Sequence, residues 1–379
     1  ALFEKEEKGA GQKLQTFLKD AQAKYEISMG DFVKKPALSF WEFVNPTSLK
    51  FLLSGKLLGS LSKEIDRLFS SEKIKMILEF PVLFLGSTAK DIPQMYSLMN
   101  YADMGLGTWY PEGGMNQLVQ AMQTVLDQYS IRVELGTTIS GVEVENGAIA
   151  ALETNKGIFQ TEKVIWAADY HHFDTKIVPS KFQSYSNSYW DSRVLAPSSL
   201  LFYIGVNQKV AGLQHHNLFF DSDFEPHISS IYETADWPET PLFYVCSPSK
   251  TDDSVAPEGC ENLFILVPIA TDLDRDENKI EKYYQHILER LKQQGVHGIR
   301  GNEIVKETFF VNDFKKEYNS QKGNAYGLAN TLTQTAFLKP KMKSKTLTNL
   351  WFAGQMTNPG PGLPPSIISG EIAAKLVSE

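Results

Sequence analysis

The C-terminal segment Asn349–Val377, which reads N-L-W-F-A-G-Q-M-T-N-P-G-P-G-L-P-P-S-I-I-S-G-E-I-A-A-K-L-V, constrains the fold more than any other stretch of this chain. Leu350–Ala353 has the all-apolar character of a short buried strand, and Gly354 stops it. A loop dense in glycine and proline follows. Ser366–Val377 then carries helical apolar spacing at Ile367, Ile368, Ile372 and Leu376, with prolines just ahead, where a helix start tolerates them. A strand, a glycine loop and a helix start in this order leave backbone N–H groups and a positive dipole end facing whatever the loop encloses. Such a site suits an anionic group, for example a phosphate. Spacing alone fits an ordinary β–α connection about equally well.

Three further segments accompany it. Gly107-Thr-Trp-Tyr110-Pro111-Glu-Gly113-Gly114-Met115 joins a loop to a helical stretch, and Lys163-Val-Ile-Trp-Ala167-Ala168-Asp169 reads as a second buried strand. Tyr318-Asn-Ser-Gln-Lys-Gly323-Asn-Ala-Tyr326-Gly327-Leu328 is followed by Gln334-Thr-Ala-Phe-Leu-Lys339-Pro340. In wording, order and spacing, these four segments resemble the bacterial-type phytoene desaturases. These are FAD-dependent carotenoid desaturases within the amine-oxidase-like flavoprotein superfamily. The resemblance covers about residues 96–377.

The resemblance implies a set of FAD contacts. Gly354 and Gln355 match the turn that meets the ribityl–pyrophosphate, with glutamine where many relatives carry an acid. Gly362, Leu363, Pro364 and Pro365 match the loop under the isoalloxazine, with the Ser366 helix end aimed at its C2=O. Ile139 matches a position whose backbone pairs with adenine. Gly113 and Gly114 match a double glycine where a helix packs on the nucleotide region, and Ala167 and Ala168 end the strand returning to the flavin sheet. The superfamily's G-x-G-x-x-G fingerprint does not occur in these residues. We therefore expect an N-terminal flavin unit, on the order of 100 residues, to be absent from this chain. The chain alone would then bind no FAD or need a further segment to do so. Its cleft would be half-lined, bordered by Ile139, Gly354 and Gly362.

Periodicity supplies the organisation. Residues 1–95 read as a helical cap or membrane-proximal region, with apolar stripes such as Leu14, Phe17, Leu18, Ala21 and Tyr25. Residues 113–129 form a helix and 131–134 a short strand. A β-meander follows at 138–145, 148–154 and 158–161, turning at Asn146-Gly147 and Asn155-Lys156-Gly157. Residues 96–112 and 175–345 read as a substrate domain, with β-rich runs at 199–206, 227–233, 241–247, 262–270 and 304–310 and a helix at 277–294. Residues 113–174 and 346–379 are the C-terminal parts of the FAD-binding domain. The fold class is thus α/β plus α+β: an incomplete FAD-binding domain with a parallel sheet and β-meander, a substrate domain with a mixed or antiparallel sheet, and a helical cap.

A net charge of −8 argues against a nucleic-acid partner. Cys246 and Cys260 share no C-x-x-C and read either as a single disulfide or, in preference, as two buried free thiols of a reducing compartment. No apolar run reaches the ~18 residues of a spanning helix. Leu49–Leu61, with Lys50 and Lys56, reads either as a core-facing helix or as an interfacial helix whose lysines snorkel to headgroups. The corresponding location is cytoplasmic with peripheral membrane contact.

Hydrolytic chemistry lacks a G-x-S-x-G elbow. No metal site is expected, because His171-His172 and His215-His216 are sequence neighbours that should point apart, and there is no H-x-x-x-H or cysteine cluster. His171 and His172 follow a strand end and read as a solvated pair or a ligand contact. Trp109, Tyr110, Phe202, Tyr203, Phe243 and Tyr244 read as strand aromatics of the second body, either packed in its core or facing a polyene cation through their rings. The resemblance implies desaturation of a carotenoid such as phytoene in an apolar tunnel, with hydride passing to flavin N5 and a proton leaving the neighbouring carbon. No residue's spacing marks it as the catalytic proton acceptor. Alternative readings are a retinol-saturase-like or carotenoid-oxidising flavoenzyme and, in another class, a non-catalytic polyene or lipid carrier.

Overall fold

The structure, a computed structural model, describes residues 1–43, 59–83, 90, 92–331 and 333–379. Its N-terminal part is helical, with α1 (Ala10–Ile27), α2 (Leu61–Leu68) and α3 (Glu72–Leu83). Ala10 and Phe17 of α1 meet Leu61, Ile65, Ile74 and Leu78 in one apolar core. Lys24 is sealed inside this body. Its ammonium lies 2.9 Å from Asp20 and 3.0 Å from Glu64, and donates to Ser97 Oγ at 2.9 Å. Loss of that lysine would strand the Glu64 carboxylate, so the pair fixes how α1 sits on α2. Of the interfacial segment Leu49–Leu61, residues 49–58 lie outside the described residues, and Leu61 is buried in the helical core. Among the described residues no helix is long and apolar enough to cross a membrane.

Next comes α4 (Asn116–Gln128), which buries none of its side chains and leaves Val119, Met122 and Val125 exposed. Residues 131–134 do not form the expected strand. The meander is β1 (Ile139–Glu145), β2 (Ala148–Thr154) and β3 (Gly157–Gln160), antiparallel in that order. At its first turn Asn146 and Gly147 both take positive φ, 49° and 77°. That is the twist-matched turn Asn-Gly favours.

β4 (Val164–Trp166) pairs in parallel with the distant β10 (Leu350–Phe352), Val164 facing Leu350 and Trp166 facing Phe352. Their core takes in Phe173, Ile177, Tyr185 and Trp190 from the segment after β4. Asp174 anchors that segment by accepting from Ser184 N, Tyr185 N and Trp190 Nε1 at 3.0–3.2 Å.

The large sheet comprises β5 (Ser198–Val206), β6 (His216–Phe219), β7 (Phe243–Cys246), β8 (Glu261–Ile269) and β9 (Glu303–Phe309). It is antiparallel throughout, in the order β6-β7-β8-β5-β9. Of residues 227–233, expected to be extended, 227–232 belong instead to a helix, α5 (Phe224–Tyr232), and Glu233 caps it. His227 holds it there, with Nε2 bonding the Pro268 carbonyl at 2.7 Å and Nδ1 accepting from Leu242 N at 2.8 Å. A longer helix, α6 (Glu277–Gln293), starts at Asp276, whose carboxylate accepts from the Asn278 and Lys279 amides. It lays Ile280, Tyr284, Ile287, Leu288 and Leu291 against one face of the sheet. Each such aliphatic side chain contributes about 1.5–3 kcal/mol on burial. α7 (Val311–Tyr318) follows β9, and α8 (Leu363–Ser378) closes the chain.

Candidate functional site

β4 and β10 both end on small residues. Ala167 and Ala168 follow one, Ala353 and Gly354 the other, and a cleft of about 760 Å³ opens there. Cofactors of parallel α/β sheets bind at these carboxyl ends. The opposite wall is Phe314 and Tyr318 of α7 with the segment that follows. Gly354 has φ +101°, which other residues reach only with strain, and a Cβ on it would project where nothing but the Ala167 carbonyl lies within 4 Å. Its amide is not free as the sequence implied, because it donates to Ser369 Oγ at 2.8 Å. Gln355 lines the cleft too. Its backbone oxygen would lie 3.2 Å from a Cβ on Gly327, so the Tyr326-Gly327-Leu328 motif packs directly beneath this turn.

The helix beyond the loop departs from expectation. α8 begins at Leu363 rather than Ser366, with Gly362 as its cap. Pro364 and Pro365 have no N–H to offer, and the Ser366 amide donates back to the Gly362 carbonyl at 2.9 Å. Leu363 is therefore the one residue of that turn with an amide the helix does not use. Ser366 and Gly370 line the cleft, whereas Gly362, Leu363, Pro364 and Pro365 sit at the outer start of the helix. Ile139 is not at the cleft either, because its side chain packs on the β4–β10 core. Gly113 and Gly114 join a different contact: Gly113 N donates to Asp252 Oδ2 at 2.8 Å, and Gly114 faces Tyr110 and Val255. Of the expected contacts the structure thus brings together Ala167, Ala168, Gly354 and Gln355. The expected border of Ile139, Gly354 and Gly362 reduces to Gly354.

Two charged groups near this region were not singled out by sequence. Asp169 lines the cleft, accepts from His172 N at 2.7 Å, and has its carboxyl pushed up to about 6 by burial. Lys339 is buried, and among the described residues its ammonium has no hydrogen-bond partner. Burial pulls it down to about 8. Its Nζ lies 3.3 Å from where a Cβ on Gly360 would stand, and the unpaired Asn330 Oδ1 lies 3.5 Å from the same point. Lys339 appeared in a motif, yet only tertiary burial reveals that its charge is unmatched. His171 and His172 form a single helical turn capped by Asp169, and neither lines the cleft.

The large sheet has two unlike faces. Along β8, Leu263, Ile265, Val267 and Ile269 are buried under α6, while Phe264, Leu266 and Pro268 alternate on a half-open side. The predicted strand aromatics divide accordingly. Phe202 and Phe243 are core residues, and Tyr203 and Tyr244 are on the open side. Trp109 and Tyr110 are in a loop instead of a strand, and Trp109 is 88% exposed.

On the open side the rings form a row. Tyr203 stands 5.3 Å from Phe264, Phe264 6.4 Å from Tyr244, and Tyr244 6.0 Å from His216. Beyond it, His215 is 4.3 Å from His216 and 4.7 Å from Tyr110. At the other end Tyr203 lies on β5 opposite β9, whose Phe309 ring stands 6.2 Å from Tyr318 of the cleft wall, so the row starts beside that wall. Leu218, Phe220, Tyr244, Leu266 and Tyr326 also line a shallow apolar groove of about 40 Å³. Phe80 of α3 lines the same groove, 5.6 Å from Phe220, so among the described residues the apolar space lies between the helical cap and this sheet face. The closeness of His215 and His216 corrects an expectation from sequence. His215 precedes β6 and His216 begins it, so strand alternation does not separate their rings.

A flavin nucleotide fits the cleft: Ala167, Ala168, Ala353 and Gly354 make one wall of small residues at the carboxyl ends of parallel strands, and an unmatched buried cation lies behind the Gly360 loop. The fold and cleft are those of a dinucleotide-cofactor oxidoreductase. The chain belongs to the flavin-containing amine oxidoreductase family, whose pattern matches residues 42–378, and its cofactor is FAD. A carotenoid 3,4-desaturase of Haloarcula japonica is 32% identical over 378 residues, covering 100% of this chain and 76% of that protein. A 4,4'-diapophytoene desaturase of Staphylococcus haemolyticus is 30% identical, covering 100% of this chain and 77% of its own length. Among solved structures, an oxidoreductase from Methanosarcina mazei superposes with a TM-score of 0.52 at 15% identity, over 90% of this chain and 75% of that one. It shares the fold.

Proposed function

We propose that the protein is an FAD-dependent carotenoid desaturase acting on a lipophilic polyene such as phytoene. The row of half-open rings from Tyr203 to Tyr244, running away from the cleft over an apolar strand face, is the observation that carries this reading. The names of the relatives agree with it. When bound, FAD supplies the acceptor for the hydride taken from a saturated carbon of the polyene. The open face receives the chain, excludes water that would trap a cation, and presents π faces to positive charge spreading along the conjugated system. Each ring so placed is worth about 0.5–2 kcal/mol. The second hydrogen leaves the neighbouring carbon as a proton. Ala167, Ala168, Gly354 and Gln355 would hold the nucleotide, and Lys339 would oppose negative charge near the Gly360 loop.

In this reading residues 1–95 form the cap, 96–112 with 175–345 the substrate domain, and 113–174 with 346–379 the C-terminal parts of the FAD-binding domain. Contacts from Gly113, Gly114, Ile139, Gly362, Leu363, Pro364 and Pro365 belong to the same proposal, made through backbone rather than cleft-lining side chains. Peripheral membrane contact follows from the insolubility of the substrate. The test is to incubate the flavin-loaded protein with phytoene and, separately, with retinol, under oxidising and reducing conditions. Desaturation predicts longer-wavelength polyene absorption from phytoene together with bleaching of the flavin. A product formed only from retinol would support the saturase alternative, and binding without any spectral change would support a carrier.

A further inference from the structure

At the far end of the ring row, three side chains of metal-ligand type converge. His216 opens β6 and Cys246 closes β7, and the two are register partners across the strand pair. Cross-strand partners hold their Cβ atoms about 4.5–5.5 Å apart, which lets two side chains reach one ion. His215 supplies the third. One donor atom from each of His215, His216 and Cys246 lies within 4.8 Å of the other two.

We propose that His215, His216 and Cys246 form a binding site for a borderline-soft divalent transition ion such as Zn²⁺. The donor set is two imidazoles and a thiolate, which suits Zn²⁺ or Co²⁺ and not the oxygen-seeking Mg²⁺ or Ca²⁺. Ligands on a tetrahedral ion, at about 2.0–2.1 Å for nitrogen and about 2.3 Å for sulfur, stand roughly 3.3–3.6 Å apart. Closing the cluster therefore needs side-chain movement of about an ångström, with no change in strand register. Supporting bonds are already present. His215 Nδ1 is 2.6 Å from Thr251 Oγ1, and His216 Nδ1 is 2.6 Å from the Tyr244 hydroxyl. Outer hydrogen bonds of this kind set imidazole orientation in metal sites. His215 Nε2 is buried without a partner, the condition of a nitrogen lacking the group it faces.

Burial favours the neutral form of both imidazoles, the form that binds a metal. The Cys246 thiol, raised by burial, would release its proton to solvent as the metal–sulfur bond forms. The exposed side of His216 leaves room for water as a fourth ligand. Such an ion would staple the edge strand β6 to β7, and through the Tyr110 ring on His215 it would brace the 107–115 segment.

The test is a Co²⁺ titration of the purified full chain, stripped of metal by chelator and kept reduced. The expected result is one equivalent bound, with visible d–d bands and a near-ultraviolet thiolate-to-cobalt band, displaced by Zn²⁺. Cys246→Ser should remove the thiolate band, and Cys260→Ser should keep it. His215→Gln should weaken binding roughly a hundredfold or more, and Thr251→Val about 10–100-fold, as loss of an outer bond does. Circular dichroism of the metal-free variants establishes that each is folded. Absence of stoichiometric Co²⁺ binding by the parent chain would overturn the site, as would a thiolate band that survives Cys246→Ser in a folded protein.

Discussion

An ammonium group sealed from water and given no acceptor costs a protein stability until something arrives to pair with it, and Lys339 is in that condition. Its folded value of about 8 lies below the 10.5 of a free lysine. The folded chain thus binds fewer protons than the unfolded chain between these values. Lys339's share of stability is present above pH 10.5 and lost as the pH falls through 8. Flavin-free protein should therefore gain stability relative to Lys339→Met as the pH rises from 8 to 10.5, by on the order of 3 kcal/mol. At pH 7 the methionine variant should melt at the higher temperature. With flavin bound the ranking should reverse, because the cation then has an anionic neighbour. Thermal melts of both proteins, with and without flavin, decide this, and identical melting temperatures in both states would remove Lys339 from the cofactor argument.

At the scale of elements, the turn after β10 bears most on cofactor retention. Gly354→Val would force a branched side chain to φ +101° and send its methyl groups into the cleft. The backbone strain costs about 1–3 kcal/mol, which a chain of this size tolerates, whereas the flavin would meet the new side chain. The expected outcome is a folded protein whose flavin-to-protein absorbance ratio falls at least tenfold, and a normal ratio would show that the nucleotide does not approach this turn. β4, β10, the meander and α6 were legible in sequence because local signals agreed with tertiary demand. Asn146-Gly147 takes the positive φ pair its residue types favour, and α6 buries its apolar stripe. Helix α5 was not legible, since its bonds run from His227 to the distant Pro268 and to Leu242. Ala167, Ala168, Gly354 and Gln355 came from the resemblance to a known family, and the structure brings them together at the carboxyl ends of β4 and β10. The start of α8 was misplaced by three residues because its prolines belong to the helix's first turn rather than to the loop. The His215–His216–Cys246 cluster escaped because register across two strands is not written in either strand alone.

At the scale of the whole molecule, helix α4 presents Val119, Met122 and Val125 to solvent while the helical cap, the β4–β10 body and the large sheet each keep a sealed core. Replacing these three residues with glutamine should leave the melting temperature nearly unchanged, because little burial is lost, about 0.5 kcal/mol or less for each. Dye binding by the purified chain and its light scattering on standing should both fall, as they do when an apolar surface patch is removed. A large drop in melting temperature would instead mean that the stripe is packed in solution.

The two faces of β8 carry a consequence for how such an enzyme diversifies. Leu263, Ile265 and Val267 answer to α6, while Phe264 and Leu266, interleaved with them, answer only to what lies on the open side. On the proposed function, stability and molecular preference would be written on alternate letters of one strand, so that a lineage could revise one text without erasing the other. In that reading, variation confined to Tyr203, Tyr244, Phe264 and Leu266 would lengthen, shorten or reshape the accepted chain while the scaffold keeps its inheritance.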